Sequence, residues 1–246
     1  IGAGAANIAI SRLLFHAGVN PENTIMADIN FILHKDREDL INECKEKRNI
    51  CLTTNRDDVR GGIPEAMKGA DVVIALSKPG PDTIKKEWIR TMASKPVVFT
   101  CANPVPEIWP WEAKEAGAAI VATGRSDFPN QVNNSIGFPG IFRGTLDVMA
   151  STITDEMCVA AAEALAGIAQ TKGMHEDHIL PAMDEWEIYP RVAVAVGMKA
   201  IEQGIAKLNL TEDELFRKSS SIIKNAQDSA KLLMESGLIP PYEDQE

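Results

Sequence analysis

The chain has 246 residues, 45% of them hydrophobic, and a formal net charge of −10 at pH 7. This length fits one large domain or two small ones, and the apolar fraction is ordinary for a globular protein. The negative charge argues against nucleic acid or an anionic membrane as the main partner. No apolar run approaches the roughly 20 residues that span a bilayer, and the four cysteines show no CxxC spacing. The cysteines are therefore predicted to be reduced, in a cytoplasmic protein.

The chain begins with a glycine-rich turn and an apolar helix. Residues 1–7 read IGAGAAN, a G-x-G-x-x-N pattern close to the dinucleotide fingerprint G-x-G-x-x-G/A. Gly2 is predicted to permit the tight turn, and Gly4 to let backbone amides approach a pyrophosphate at the start of the helix. Asn7 stands where the third glycine or alanine usually lies, and its larger side chain is expected to loosen the packing of helix on strand.

The next predicted strand, Thr24–Asp28, ends in an acid. Asp28 follows the glycines by about 20 residues, where a carboxylate can accept from the adenosine ribose 2′-OH. The alternative is an acid that merely ends a strand. Only Ile1 remains of the strand that should precede the glycines, and that strand is central in a doubly wound sheet. The sequence is therefore interpreted as the C-terminal part of a longer protein, and made alone it is expected to fold poorly.

Helices and buried strands alternate over the following residues. A charged amphipathic helix is predicted over residues 34–48, with Leu40, Ile41 and Cys44 on one face. This alternation predicts a doubly wound, Rossmann-like α/β domain with a parallel sheet. The predicted strands are Asp71–Leu76, Pro96–Cys101 and Ala118–Ala122. The predicted helices are Thr83–Met92 and two short ones, Ile63–Lys68 and Glu112–Gly117.

The last third of the chain is predicted to be helical. Helices are expected over residues 154–170 and 190–207, and a capping box of Thr211 and Glu214 begins a long helix that ends before Gly237. The acidic tail after residue 242 is expected to be loose. We therefore predict a dinucleotide-binding domain over residues 1–150. A helical extension over residues 151–246 is expected to pack on it and on a missing N-terminal domain.

Polar side chains follow each predicted strand. Asp28, Ser77, Asn103 and Thr123 stand at carboxyl ends, which share one edge of a parallel sheet, the ligand crevice of this architecture. The run TGRSDFPNQVNNSIGFPGIFRGTLDV over residues 123–148 then passes from strand through a Gly/Asn/Pro loop into a helix. The adjacent amides at residues 133 and 134 can cap that helix or donate to a ligand oxygen. The alternative is an ordinary surface loop.

The motifs GAGAAN, ADVVIALSKPG, ANPVPEI and ATGRSDFPNQVNNSIGFPGIFRGTLDV together resemble the nicotinamide-nucleotide domain of malic enzymes, of the short bacterial and archaeal type. The resemblance covers essentially the whole chain, in order. It implies oxidative decarboxylation of malate to pyruvate and CO2 with NAD or NADP and a divalent ion, Mg²⁺ or Mn²⁺. It also implies a homodimer or a larger homo-oligomer.

The resemblance also assigns residues to the cofactor and the substrate. In the family the catalytic tyrosine and lysine and the metal-binding carboxylates precede the fingerprint, so no catalytic residue and no metal ligand is assigned to this chain. Hydride transfer needs malate C2 close to nicotinamide C4, and side-chain amides at strand ends provide such positioning. The implied cofactor-binding residues are Gly2, Gly4, Ala5, Ala6, Asp28, Ser77, Asn103 and Asn134, and the implied substrate-binding residues are Asn103, Asn133 and Asn134.

The 175–178 run and two arginines are further functional candidates. The HEDH run at residues 175–178 has its histidines three apart rather than four, so a polar loop is the favoured interpretation over a metal site. Arg125 and Arg143 either bind the substrate carboxylate or pair with Asp127 and Asp147, and both alternatives stay open.

The sequence favours NAD over NADP. Asp28 would present negative charge to a 2′-phosphate, and the residues that follow it at once carry no cation, although Lys35 and Arg37 lie further on. Two other functions stay open: a different nicotinamide-dependent dehydrogenase, and a non-catalytic dinucleotide-binding module that regulates a partner. The sequence upstream of Ile1 would discriminate between them.

Overall fold

Three short strands alternate with helices in the first half of the chain, and helices alone follow. The structure is a computed structural model that describes residues 1–40 and 44–240. Among these residues no helix is long and apolar enough to cross a membrane. The elements are α1 (Ala5–His16), α2 (Lys45–Thr53), α3 (Ile63–Met67), β1 (Val72–Ala75), α4 (Lys86–Ile89), β2 (Val97–Thr100), α5 (Pro110–Glu115), β3 (Ile120–Thr123), α6 (Asn134–Asp147), α7 (Asp155–Thr171), α8 (Ile188–Glu202) and α9 (Glu212–Glu235), with 3₁₀ turns at Pro21–Asn23 and Glu38–Leu40.

The sheet is parallel, with strand order β1-β2-β3. Its register places Val73 beside Val98 and Val98 beside Val121. All three valines are buried, as expected when β-branched residues fill a sheet that is covered by helices. Each observed strand overlaps its predicted position, so the predicted α/β class with a parallel sheet is confirmed.

Two apolar clusters form the core of the sheet and of the chain that precedes it. In the first, the buried valines pack with side chains from the helical crossovers, among them Ile89 of α4 and Ala113 of α5. In the second, Ala3 and Met26 pack with Ile50 of α2. The short connecting helices are therefore held by the core rather than by their own length, since helices this short are marginal in isolation.

The predicted strand Thr24–Asp28 is wrong as a regular strand. The structure shows an extended segment there that makes a single antiparallel bridge, Ala27 with Ile32. The reason is a tight reversal: Asp28 N–H donates to Phe31 O at 3.0 Å, and the Asp28 carboxylate accepts from Asn30 N–H at 2.8 Å. This Asx-type turn folds the chain back on itself before a ladder can extend. The segment still borders the fingerprint, because Gly2 N–H donates to Ala27 O at 2.8 Å.

The charged helix predicted over residues 34–48 is also placed differently. The structure has only the 3₁₀ turn Glu38–Leu40 there, and α2 begins at Lys45 and continues to Thr53. Arg37 explains the early interruption, because its side chain turns inward to pair with Asp28. Ile41 of the predicted apolar face lies outside the described residues, as does the acidic tail after residue 242.

The chain divides into two compact units: Ile1–Asn134 with Ala166–Ala182, and Ser135–Leu165 with Met183–Glu246. The first unit holds the sheet. In the second, the predicted capping box is present, since Thr211 accepts from Glu214 N–H while the Glu214 carboxylate accepts from Thr211 N–H. The boundary at residue 150 stays a prediction.

Glycines set the close packing within the second unit. A Cβ added to Gly144 of α6 would collide with the Ala193 carbonyl of α8 and lie 3.0 Å from the Val196 Cβ. Gly140, one helical turn earlier, would place a Cβ 2.6 Å from the Val192 Cβ. The glycine face of α6 carries no side chains, so α6 and α8 approach closely and are held by van der Waals contact between them.

Gly144→Ala is therefore expected to lower the free energy of unfolding by about 2 kcal/mol, because overpacking outweighs the better helix propensity of alanine. Gly167→Ala in α7 is the matched control: an added Cβ there meets no described heavy atom within 4 Å. That control should leave stability unchanged or raise it by up to about 1 kcal/mol. Urea unfolding of both variants measures the difference. Equal stability of the two would contradict the packing described for α6.

Candidate functional site

The fingerprint turn packs directly on the end of β1. Gly2 has φ +90°, and a Cβ on it would lie 2.5 Å from the Leu76 carbonyl oxygen and 3.1 Å from the Ser77 Cα. Leu76 N–H donates to Ile1 O at 3.0 Å, which joins the turn to β1. Only glycine fits both the left-handed backbone and this contact. The predicted role of Gly2 in the tight turn is therefore confirmed.

Asn7 holds this turn rather than loosening it. Its side chain is buried, and its Nδ2 donates to Ile1 O at 2.6 Å and to Gly2 O at 2.8 Å. The expectation that a residue larger than glycine would loosen the packing is wrong, because the amide supplies donors to two carbonyls that face it. A sequence pattern does not reveal these hydrogen bonds, because only the folded turn brings the Asn7 amide near the carbonyl groups of Ile1 and Gly2.

The beginning of α1 is open. Gly4 is its N-cap, and no side chain of the described residues caps it. Gly4, Ala5 and Ala6 are exposed, and no described heavy atom lies within 4 Å of a Cβ added to Gly4. The first N–H groups of a helix and its dipole favour an anion at this end. The local geometry therefore fits a pyrophosphate, as the glycine pattern predicts.

Asp28 is the centre of a buried charge cluster. Its side chain is 5% exposed, and Arg37 Nη2 lies 3.0 Å from Oδ2. Oδ1 accepts from Phe31 N–H at 3.0 Å and from Arg37 Nη1 at 3.3 Å. Lys47 Nζ lies 3.8 Å from Oδ2, and Arg37 also pairs with Asp39. Arg37 therefore reaches back to Asp28, while sequence reasoning missed Lys47.

The pKa of the Asp28 carboxyl is lowered. Burial acts to raise it, but the hydrogen bonds from Arg37 and from the N–H groups of Phe31 and Asn30 outweigh burial. Asp28 is thus ionised, and its negative charge is compensated by Arg37 and Lys47. Whether it also accepts from a ribose stays a prediction.

A buried acid links the ends of β1 and β2. Glu107 is 0% exposed; its Oε1 accepts from Ser77 N–H at 2.8 Å, and its Oε2 accepts from Ala102 N–H at 3.1 Å. Asn103, which follows Ala102, is exposed. Sequence reasoning missed Glu107. The available signal was an acid in an otherwise apolar turn directly after a buried strand.

Gly124 lies between two of the predicted amides. A Cβ added to it would lie 3.2 Å from Asn103 Nδ2 and 3.2 Å from Cys101 O, and Asn133 Nδ2 donates to Gly124 O at 2.9 Å. Asn134, the exposed first residue of α6, follows directly. The structure therefore brings Asn103 and the loop of Asn133 together at the carboxyl edge. The role of Asn134 stays a prediction.

Both candidate arginines are paired within the chain. Arg125 makes a two-point contact with Asp127, Nε–Oδ1 at 2.8 Å and Nη2–Oδ2 at 2.7 Å. Arg143 does the same with buried Asp147, at 3.0 and 2.8 Å. Of the two open alternatives, the structure shows the pairing. Within residues 1–40 and 44–240 no three His, Cys, Asp or Glu side chains gather as a metal site, the 175–178 run included.

The four cysteines are free thiols. Burial, and then the nearby charge of Glu107, raises the pKa of Cys101 to about 12. This thiol therefore stays protonated at neutral pH and is a poor nucleophile.

Comparison with known proteins identifies relatives of this chain. The family model "Malic enzyme, NAD binding domain" matches residues 1–201. The bifunctional malic/malolactic enzyme of Bacillus subtilis is 42% identical over 221 residues, which are 90% of this chain and 52% of that protein. The NADP-dependent malic enzyme of Halomonas elongata is 41% identical over 222 residues, which are 84% of this chain and 50% of that protein.

A solved structure gives the same result. The crystal structure of Entamoeba histolytica malic enzyme superposes with a TM-score of 0.95 at 49% identity, covering 98% of this chain and 50% of that one. The likeness confirms the predicted Rossmann-like fold. The chain spans about half the length of these relatives.

The Asp28 cluster predicts a pH-dependent effect on stability. Because the folded-state pKa of Asp28 is lowered, its contribution is present above the unfolded pKa and is lost as pH falls through the folded pKa. Asp28→Asn should cost about 3 kcal/mol at pH 7, since it leaves buried Arg37 without one partner. The gap to wild type should close below about pH 4. Urea unfolding across this pH range measures it, with Asp57→Asn, whose side chain is 80% exposed, as a neutral control. A gap that does not change with pH would contradict this interpretation.

Proposed function

Because this chain belongs to the malic enzyme family through its NAD-binding domain, we propose that it supplies the cofactor-binding domain for oxidative decarboxylation of malate to pyruvate and CO2. The observation that carries the proposal is the fingerprint turn, packed on the end of β1 with an open helix start beside it. Since the relatives are about twice as long as this chain, the reaction is proposed for the native protein that contains this sequence.

Each part of the proposed site has a physical task. The exposed start of α1 binds the pyrophosphate through backbone N–H groups. Asn103, Asn133 and Asn134 hold the nicotinamide ring and malate in a reactive orientation, as oriented amides lower the entropic part of the barrier. The bound dinucleotide supplies the hydride acceptor. These side-chain amides stay neutral at all physiological pH values, so the three residues orient the reactants and transfer no proton.

The divalent ion implied by the resemblance does not fit the residues that the structure describes. The described part of the chain offers no cluster of three carboxylate, imidazole or thiol ligands, so no step is assigned here to Mg²⁺ or Mn²⁺. The homo-oligomeric assembly and the cytoplasmic location also stay predictions. They are supported by the resemblance and, for the location, by four free cysteines.

NAD is proposed as the preferred cofactor. The charges around Asp28 balance: the cations Arg37 and Lys47 face the carboxylates of Asp28 and Asp39. A 2′-phosphate would therefore find no net positive charge in this cluster, and it would meet a buried carboxylate at its centre. The 2′-hydroxyl of NAD is uncharged, so the carboxylate does not repel it. NAD should bind at least about tenfold more tightly than NADP.

The test is malate-dependent reduction of NAD and of NADP by the native protein, with Mn²⁺ present, alongside the Kd of each dinucleotide. Turnover with a preference for NAD is expected. Asn134→Ala should lower kcat by about tenfold or more while changing the Kd of NAD much less, because it removes orientation rather than binding. Asn225→Ala, on the exposed surface of α9, is the matched control and should match wild type.

Three outcomes would contradict parts of the proposal. Unchanged kinetics of Asn134→Ala would remove the role of that amide. NADP binding as tight as NAD binding would overturn the cofactor preference. Tight dinucleotide binding with no malate turnover would favour the alternative of a regulatory module.

A further inference from the structure

Glu107 is the most deeply buried acid near the proposed site, and the proposed function does not use it. It is 0% exposed in the turn after β2. Removing a carboxylate from water is costly unless donors compensate for the lost hydration. The donors seen here are neutral, two backbone N–H groups and one hydroxyl. An apolar side chain would fill the same space without the desolvation cost, so packing alone does not explain an acid at this position.

Glu107 organises two loops at once. Its Oε1 accepts from both Ser77 N–H at 2.8 Å and Ser77 Oγ at 3.1 Å, at the end of β1. Its Oε2 accepts from Ala102 N–H at 3.1 Å, at the end of β2, directly before Asn103. The Glu107 carbonyl also accepts from Ile84 N–H at 3.0 Å. The acid therefore fixes the segments that carry two of the predicted cofactor-binding residues.

The hydrogen bond from Ser77 Oγ has a chemical consequence. An ionised carboxylate only accepts, and a serine hydroxyl has one proton. When that proton points to Glu107, the oxygen of Ser77 retains lone pairs but has no donor for a ligand. The Ser77 N–H is also engaged with the same carboxylate. Ser77 can then serve a ligand only as an acceptor.

Ser77 lies where a dinucleotide would pass. It is partly exposed, and its Cα would lie 3.1 Å from a Cβ on Gly2 of the fingerprint turn. A phosphate oxygen is an acceptor and gains nothing from another acceptor. Ribose hydroxyls and the nicotinamide carboxamide carry donors. As an acceptor, Ser77 Oγ therefore suits the ribose or carboxamide groups of the cofactor and not its phosphates.

We propose, on the basis of the proposed function, that Glu107 is a positioning residue that fixes Ser77 Oγ as a hydrogen-bond acceptor for a donor group of the bound dinucleotide. The shared chemistry of that group is an O–H or N–H donor. Two sources supply it, a ribose hydroxyl and the carboxamide, and they can be distinguished by the choice of ligand.

A double-mutant cycle on the native protein tests the proposal. The Kd of NAD is measured for wild type, Ser77→Ala, Glu107→Gln and the double variant. Each single change should weaken binding by about tenfold, the worth of one good hydrogen bond. If Glu107 acts through Ser77, the double variant should be no weaker than Ser77→Ala alone. Losses that multiply would show a merely structural role and overturn the proposal.

Controls separate this effect from damage to the fold. Glu65→Gln also removes a carboxylate that accepts from a backbone N–H, that of Gly62 at 2.7 Å, and it should leave the Kd of NAD unchanged. If Glu107→Gln does not fold, Ser77→Thr is measured in its place. Threonine keeps the hydroxyl that Ser77→Ala removes, so the Kd of NAD for Ser77→Thr should lie within about twofold of wild type. Failure of Ser77→Thr to bind better than Ser77→Ala would overturn the proposal.

The ligand series identifies the donor. 3-Acetylpyridine adenine dinucleotide lacks the carboxamide N–H, and ADP-ribose lacks the whole nicotinamide ring. A Ser77→Ala penalty that persists with both assigns a ribose hydroxyl, and one that vanishes with both assigns the carboxamide. No penalty with NAD itself overturns the inference while leaving the proposed function intact. No binding of NAD by wild type would overturn both.

Discussion

The proposed site depends on the contact between Gly2 and the carboxyl end of β1. Any side chain on Gly2 would enter the space of the Leu76 carbonyl, 2.5 Å from a Cβ, and would also require an unfavourable left-handed backbone. Asn7 then fixes the turn through two carbonyl groups. This arrangement sets the open start of α1 beside Ser77, so the proposed pyrophosphate-binding end of the helix and the polar strand ends belong to the same compact unit.

Two buried acids stabilise the surroundings of this surface in different ways. Asp28 is compensated by the cation of Arg37, which closes the cluster and leaves it near neutrality. Glu107 instead accepts from neutral donors, the N–H groups of Ser77 and Ala102, and so joins the two segments that carry them. Replacing a whole buried ion pair by apolar side chains is often neutral for stability, whereas removing one partner is costly. We infer that Asp28 shapes the adenosine end of the proposed site, while Glu107 sets hydrogen-bond polarity at Ser77.

The parts of this protein that sequence predicted are those that local pattern determines. Each buried strand is an apolar run bounded by turn residues, and the glycine turn is a spacing of a few positions. The failures involve contacts across many residues. The predicted strand Thr24–Asp28 gave way to a turn around a carboxylate, and the early helix gave way to Arg37 reaching inward. The partners of Lys47 and Glu107 could not be predicted from sequence, because only the fold brings them near.

A crystal structure of the native protein with NAD tests the central claim most directly. The account predicts the pyrophosphate at the start of α1, its oxygens about 3 Å from backbone N–H groups of residues 4–6. It also predicts a donor of the cofactor within about 3 Å of Ser77 Oγ. NAD bound elsewhere, with the start of α1 left to solvent, would contradict the account.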